Sequence, residues 1–445
     1  MKNTIYEPAK NIDVLGRYDV VVVGGGIAGV SAALAAARAG AKVCLLERFC
    51  ALGGLATIGN VVIYLPLCDG KGHQVSGGIC EELIKLSVDD EPKERPGLRI
   101  GPVPACWAKG GDAEERKKHR YQTGFNPVTF MYKLERLLLK NHVKIYYDTR
   151  FCTVLKEGNA IKAVVVESKG GRQALLTQAV VDASGDADVV YAAGDKTVSI
   201  GGNVRSCWYY IIEDGQPKLC PWSQRFSATK SFPENGRTFR GDSADHVTAQ
   251  VLESRHFSML DLQKRREAKP ESDIYPIMTT TMPTHRMTRR LAGKVTLRVT
   301  DDHRWFDDTL GMTGDWRKAG PIFCIPLRAI AATKTTNLIT AGRCISSIGD
   351  TWDVTRVIPT CAVTGEAAGV AAAYEAWVPT MNPDIPADFA EQLGAVDFSV
   401  RMLTGDDTEQ AAMLLADAGC EDCGYPWDEH ALSVTEALMQ AAGLR

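Results

Sequence analysis

The sequence predicts an α/β fold: a discontinuous unit on a parallel sheet with a β-meander, a mixed α+β unit, and a helical C-terminal tail. Three observations carry this. A valine-rich run, Tyr18 to Val23, leads through a glycine turn into the alanine-rich segment Val30 to Ala39 and then into a second apolar run, Ala41 to Glu47. The turn dipeptides Gly158-Asn159 and Gly170-Gly171 divide Phe151 to Val181 into three β-rich stretches. Late in the chain, Asn337 to Ala341 and Thr360 to Tyr374 repeat the apolar strand and the small-residue helix of the start.

Composition sets the outer limits. A chain of 445 residues, 45% hydrophobic and 24% charged, has ample material for a core and is neither a small disulfide scaffold nor a disordered polymer. With 51 basic against 54 acidic residues the net charge is −3, so no broad field collects nucleic acid or anionic membrane. A small molecule is the expected partner. The 13 cysteines are scattered and odd in number, the pattern of reduced thiols in a cytoplasmic protein. No secretory leader is read before Asp19, and no membrane span: Val20 to Ala37 is apolar but interrupted by four glycines, as in a buried strand and helix.

Taken in order, residues 1–17 read as a polar leader. Strand, glycine turn, helix and strand over 18–47 form a βαβ unit, which requires a parallel sheet. The Gly- and Pro-rich stretch 50–125 reads as loops over a ligand site, with one amphipathic helix at Ile79 to Leu86. Asn126-Pro127 supplies an N-cap and a first-turn proline for a helix ending near Lys140, and Val143 to Tyr147 adds a strand. Residues 197–330 show mixed β character with few helical periods and are expected to form a substrate domain. The first domain, 18–196, is then completed by 331–378, and 379–445 is the helical tail.

Gly24-Gly25-Gly26-Ile27-Ala28-Gly29 satisfies G-x-G-x-x-G between a strand and a helix, the context in which the motif binds a dinucleotide. Gly24 permits the turn, Gly26 admits a pyrophosphate, Gly29 lets helix and strand pack, and the helix N-terminus favours negative charge. Glu47, 18 residues past Gly29, is placed to accept ribose hydroxyls and repels a 2′-phosphate. The unit is therefore Rossmann-like. Bare backbone follows at Gly53-Gly54-Leu55-Ala56-Thr57, and small-residue turns recur at Asp182-Ala183-Ser184-Gly185-Asp186 and Ala341-Gly342-Arg343. These tip the expectation from NAD toward FAD.

With these segments on the page, the chain resembles the FAD-dependent oxidoreductases of the glutathione-reductase-like, two-dinucleotide-fold group. It is most similar to a bacterial family with a GG-x-A-T segment and a late A-G-R-C-I-S segment, here Gly53 to Thr57 and Ala341 to Ser346. Gly77 to Leu83, Asp182 to Asp188, Arg289 to Gly293, Arg356 to Cys361 and Thr364 to Gly369 also match. The likeness spans about 18–375 and loosens at 95–125 and 210–270. It implies an extended FAD, with Gly24, Gly26, Ile27, Ala28, Gly29, Glu47 and Arg48 at the ADP half. Gly53, Gly54, Leu55 and Ala56 would lie at the ribityl region, and Ser184, Asp186, Gly342 and Arg343 near the pyrophosphate or ribityl chain. A helix starting near Thr360, with Cys361 and Ala362, would aim its amides at the flavin.

For catalysis, His285, Arg286 and Arg356 are the candidates, suited to clamping a carboxylate or moving a proton. Arg289 and Arg290 can instead brace domains, and Arg356 can pair with Asp350 or Asp353. His73 lies in a glycine-rich loop where it could reach the flavin. Cys344 and Cys361 lack redox spacing, and Cys420 with Cys423 and His430 lacks a complete ligand set, so no metal site is read. The expected activity is hydride transfer between flavin N5 and a small organic metabolite. The alternatives are a fumarate-reductase-like enoate reductase, a flavin-bearing electron-transfer subunit docked to a partner, or a non-redox flavoprotein scaffold; a homo-oligomer is also compatible. No second G-x-G-x-x-G offers a nicotinamide site.

Overall fold

The structure, a computed structural model, describes residues 5–90, 93–224 and 237–381. The expected helical tail after residue 381, with Cys420, Cys423 and His430, lies outside them.

The chain opens with β1 (Asp13–Val23), α1 (Ile27–Arg38) and β2 (Val43–Leu46). The insertion carries β3 (Ile63–Tyr64), α2 (Ile79–Val88), α3 (Ala113–Lys118) and β4 (Thr123–Gly124). Then come α4 (Pro127–Lys140), β5 (Lys144–Tyr146), and the meander β6 (Arg150–Glu157), β7 (Ala160–Ser168) and β8 (Gly171–Asp182). After α5 (Asp188–Ala192) and β9 (Thr197–Ser199), the middle holds β10 (Ser206–Glu213), β11 (Gln216–Ser223), α6 (Ala244–Ala268) and β12 (Ile274–Met278). β13 (Arg289–Leu291), β14 (Thr309–Gly314), β15 (Ile322–Pro326), β16 (Leu338–Thr340), α7 (Gly349–Thr355) and α8 (Ile358–Met381) complete the described chain.

The main sheet has seven strands in the order β5-β2-β1-β8-β7-β6, with β16 also on β8. β8 is shared. Its first half pairs antiparallel with β7, and from Val180 to Asp182 it pairs parallel with β16. The meander thus leaves the parallel sheet where the late strand enters it. Both sheet faces are buried, which is why β1 reads as consecutive valines: Val20 and Val22 enter the larger core, Val21 and Val23 the smaller.

Helices α1 and α8 pack together on that sheet by backbone contact. A methyl group at Gly365 would come within 2.2 Å of the Ala28 carbonyl oxygen, and one at Gly369 within 2.1 Å of that of Ala32. The small residues of both helices exist for this approach. Asn126 caps α4 as expected, its Oδ1 accepting the Val128 N–H at 2.9 Å.

Two expectations change. Residues 13–17 are not leader but strand, paired with Gln173 to Leu176 of β8. The middle segment contains α6, a helix of 25 residues that the sequence pattern did not reveal. It packs on the three-stranded sheet β11-β10-β12 over Tyr209, Ile211, Cys220, Leu262 and Ile274.

Candidate functional site

A cleft with a cavity volume of about 240 Å³ runs along the C-terminal ends of β1, β2 and β8 to the start of α8. Its first wall is the turn between β1 and α1. The three motif glycines divide their work. Gly24 (φ +106°) is fixed by conformation, and a methyl there would also lie 2.4 Å from the Ala183 carbonyl oxygen. Gly29 is fixed by packing, a methyl there standing 1.8 Å from the Gly24 carbonyl oxygen. Gly26 is neither: its φ is −67°, any residue's conformation, and a methyl on it would meet nothing within 4 Å. Only the cleft lies beyond it. Gly24, Gly26, Ile27 and Ala28 line the cleft, whereas Gly29 does not.

Glu47 follows β2 and is buried beneath the turn, its Oε2 accepting the Gly25 N–H at 2.7 Å and its Oε1 the Phe49 N–H at 2.9 Å. Burial pushes its carboxyl up from the ordinary range, and the two amides oppose that shift. Glu47 therefore braces the turn as well as facing the cleft with Arg48. The second glycine segment is joined to the first: the Gly53 N–H donates to the Gly25 carbonyl at 2.8 Å, and a methyl at Gly54 would touch the Gly26 Cα at 3.2 Å. Gly53, Gly54, Leu55 and Ala56 all reach the cleft.

Across from them stand Ser184 and Gly185. Their turn is held by Asp182, fully buried, which accepts from Ser184 N at 3.1 Å, Ser184 Oγ at 2.6 Å, Val189 N at 2.9 Å and Val190 N at 3.0 Å. Asp186 is off the wall. It lies 3.4 Å from Arg343 Nη2, and Arg343 itself lines the cleft with Gly342.

The far wall corrects one expectation. α8 starts at Ile358, two residues before Thr360, so Ile358 and Cys361 face the cleft while Thr360 and Ala362 face the core. Thr360 Oγ1 is bonded to Thr313 Oγ1 at 2.7 Å, and Ala362 is fully buried. Burial pushes the Cys361 thiol up to about 12, which leaves it protonated and no nucleophile at neutral pH.

Of the three catalytic candidates, Arg356 lines the cleft, and its Nε donates to Asp353 Oδ1 at 2.9 Å. His285 and Arg286 lie behind the wall, because Asn203 Oδ1 accepts the backbone N–H groups of Arg286 (2.8 Å) and Met287 (3.2 Å) and draws this segment away. Burial lowers His285 to about 4, so the ring is neutral near pH 7, and its carbonyl holds Arg343 Nη1. Burial and the nearby Arg356 charge bring Arg286 down to about 10, while its Nη2 donates to Ser223 Oγ at 2.9 Å. Arg289 braces α5 through Asp188 Oδ1 at 2.5 Å and the Tyr191 ring, and Arg290 donates to the Leu291 carbonyl at 2.9 Å. His73 Nδ1 is paired with Asp69 Oδ2 at 2.8 Å, away from the cleft.

Sequence reasoning missed Phe49, the β6 entry at Thr149, Arg150 and Phe151, and Met282, all on the cleft wall. The positive φ of Asp148 (+46°) marks the bend that delivers Thr149. No motif signals Met282.

A family model described as FAD dependent oxidoreductase matches residues 19–206 and 242–388, more than half of the chain. The chain belongs to that family. It is an oxidoreductase, and FAD is its cofactor. Among solved structures, p-nitrophenol 4-monooxygenase PnpA from Pseudomonas putida DLL-E4 is 13% identical, with 96% of this chain and 94% of that one covered and a TM-score of 0.42. OxyS anhydrotetracycline hydroxylase from Streptomyces rimosus is 13% identical over 92% and 77%, at 0.38. A flavocytochrome c3 fumarate reductase in an open conformation is 14% identical over 82% and 79%, at 0.37. At these scores the family match, not the neighbours, carries the assignment. Among the described residues of this flavoprotein no single helix is long and apolar enough to cross a membrane.

Proposed function

We propose that this oxidoreductase holds FAD along the cleft from the Gly26 turn to the start of α8 and exchanges a hydride with a small organic metabolite bound beside Arg356 and Met282. The observation that carries the reading is the open face of Gly26. A glycine whose φ and packing both tolerate a side chain, set at the N-terminus of α1, is explained by a group that must approach the backbone there.

The residues present suit the cofactor. The first-turn amides of α1 have no intrahelical partners and point at the diphosphate position, with Arg343 on the opposite wall to offset its charge. Glu47 keeps acceptor capacity for ribose hydroxyls after taking the Gly25 and Phe49 amides. The positive end of α8, reached through Ile358 and Cys361, favours negative charge in the cleft. When bound, FAD supplies two-electron hydride chemistry at N5. The protein's own part is orientation and charge. Arg356, fixed by Asp353, offers its remaining N–H donors to a carboxylate or oxyanion of the substrate.

The test is anaerobic mixing of the yellow holoenzyme with hydroxy acids, amines and sugars, and of the dithionite-reduced holoenzyme with enoates. Bleaching or reoxidation of the flavin by one class is expected. A flavin whose redox state no member changes contradicts the reading.

A further inference from the structure

Behind the cleft lies a second, smaller cavity of about 10 Å³ beneath β10 and α6, lined by Ser206, Cys207, Gln250, Ser254, Arg255 and Thr284 among others. Its volume admits one oxygen-sized group. Met282 belongs to the walls of both spaces. A methionine side chain has three rotatable bonds and can swing aside without disturbing a rigid wall.

Gln250 is only 1% exposed, and its Oε1 has no hydrogen-bond partner among the described residues. Its orientation is decided by its neighbours. Nε2 donates to the Val204 carbonyl at 3.2 Å and to Thr284 Oγ1 at 3.1 Å, and Thr284 in turn donates to the Ser206 carbonyl at 2.6 Å. Reversing the amide would set Oε1 against the Val204 carbonyl, acceptor against acceptor. The unpaired acceptor is therefore fixed, and it borders a cavity in which a donor fits. Arg255 borders the same cavity, its Nη2 donating to the Thr280 carbonyl at 3.4 Å. Its permanent charge disfavours an ammonium group there and suits an oxygen that also carries lone pairs. A hydroxyl meets both demands.

We propose that the chamber behind Met282 is a specificity pocket for a hydroxyl group of the substrate, which donates to Gln250 Oε1 once Met282 moves aside. This rests on the reading that a small metabolite binds in the cleft, and it names the class: a hydroxylated one. The lodged hydroxyl anchors the substrate and need not be the group that reacts.

The experiment measures binding rather than turnover. Holoenzyme is titrated with matched probes, lactate against propionate, glycerate against lactate and 4-hydroxybenzoate against benzoate, and the perturbation of the flavin absorbance gives each Kd. The hydroxylated member of at least one pair is expected to bind about tenfold tighter or more. In Gln250→Leu the ratio falls to about one while flavin content is kept, and in Met282→Phe, compared among molecules that carry flavin, the ratio also falls to about one. Equal binding within every pair, no perturbation by any probe, or a preference that survives in either folded variant overturns the proposal. So does a crystal structure of the probe complex in which an ordered water stays on Gln250 Oε1. Failure of the hydride reading is seen separately, as a flavin whose redox state never changes although probes bind.

Discussion

Glu366, in the middle of α8, accepts the Ile79 N–H at the start of α2, at 2.8 Å. Gly78 (φ +60°) lies against the carboxyl, where a methyl would sit 2.6 Å from Oε2. One helix thus supplies the N-terminal cap that the other's own sequence lacks, and it ties the insertion to the core.

The burial of that carboxyl predicts a pH dependence. Burial raises Glu366 from 4.5 to about 7, opposed by the Ile79 N–H and by Arg38, with Glu82 adding to the rise. A carboxyl so raised binds its proton more tightly in the native state, so its contribution to stability is present below about 4.5 and is lost as pH climbs to about 7. The full span corresponds to roughly 3–4 kcal/mol. Glu366→Gln keeps an acceptor for Ile79 and removes the ionisation. Its Tm is expected to vary less with pH between 5 and 8 than that of the wild type, and to match or exceed it at pH 8; an unchanged slope refutes the assignment.

The contact of α1 with α8 predicts intolerance at two glycines that do not line the cleft. Gly365→Val and Gly369→Val force a side chain into the Ala28 and Ala32 carbonyls. Each is expected to cost about 3 kcal/mol or more, read as a lower urea midpoint. Stability near wild type in either variant would mean that the helices are further apart than described.

Asp182 is expected to couple stability to cofactor retention. Asp182→Asn replaces one of two acceptor oxygens by a donor facing the backbone N–H groups of α5 and the Ser184 turn. A loss of about 2–3 kcal/mol is predicted, together with weaker FAD retention, because the turn it holds forms the cleft wall. Equilibrium unfolding of the apoprotein and dialysis of the holoprotein measure the two effects; a stability loss with unaltered FAD affinity would detach the turn from the cofactor.

Much of the scaffold was legible because its signals are local. Valines in a row, an alanine-glycine helix and Asn126-Pro127 each mark one element without reference to the rest. α6 hid because its buried face, Gln250, Ser254, Ser258 and Leu262, keeps the helical spacing but is mostly polar, so no apolar period shows. Within the cleft the glycines were readable together with their division of labour, because the motif's spacing assigns the turn to Gly24, the open approach to Gly26 and the packing to Gly29. His285 and Arg286 misled because what stands opposite a side chain is not written in its own segment. Their side chains read as chemistry, yet Asn203, more than 80 residues earlier, turns them behind the wall. Met282 and Arg150 reach the cleft through tertiary packing alone.

The most direct measurement is the FAD content of two purified variants beside the wild type. Wild type and Gly29→Val bracket the behaviour of a sound and a damaged scaffold, and Gly26→Val isolates the cleft. The account predicts a folded Gly26→Val protein, with a Tm within a few degrees of wild type, that carries almost no flavin, while Gly29→Val is destabilised outright. A Gly26→Val protein that is folded and retains one FAD per chain would contradict it, since no phosphate could then lie against that backbone.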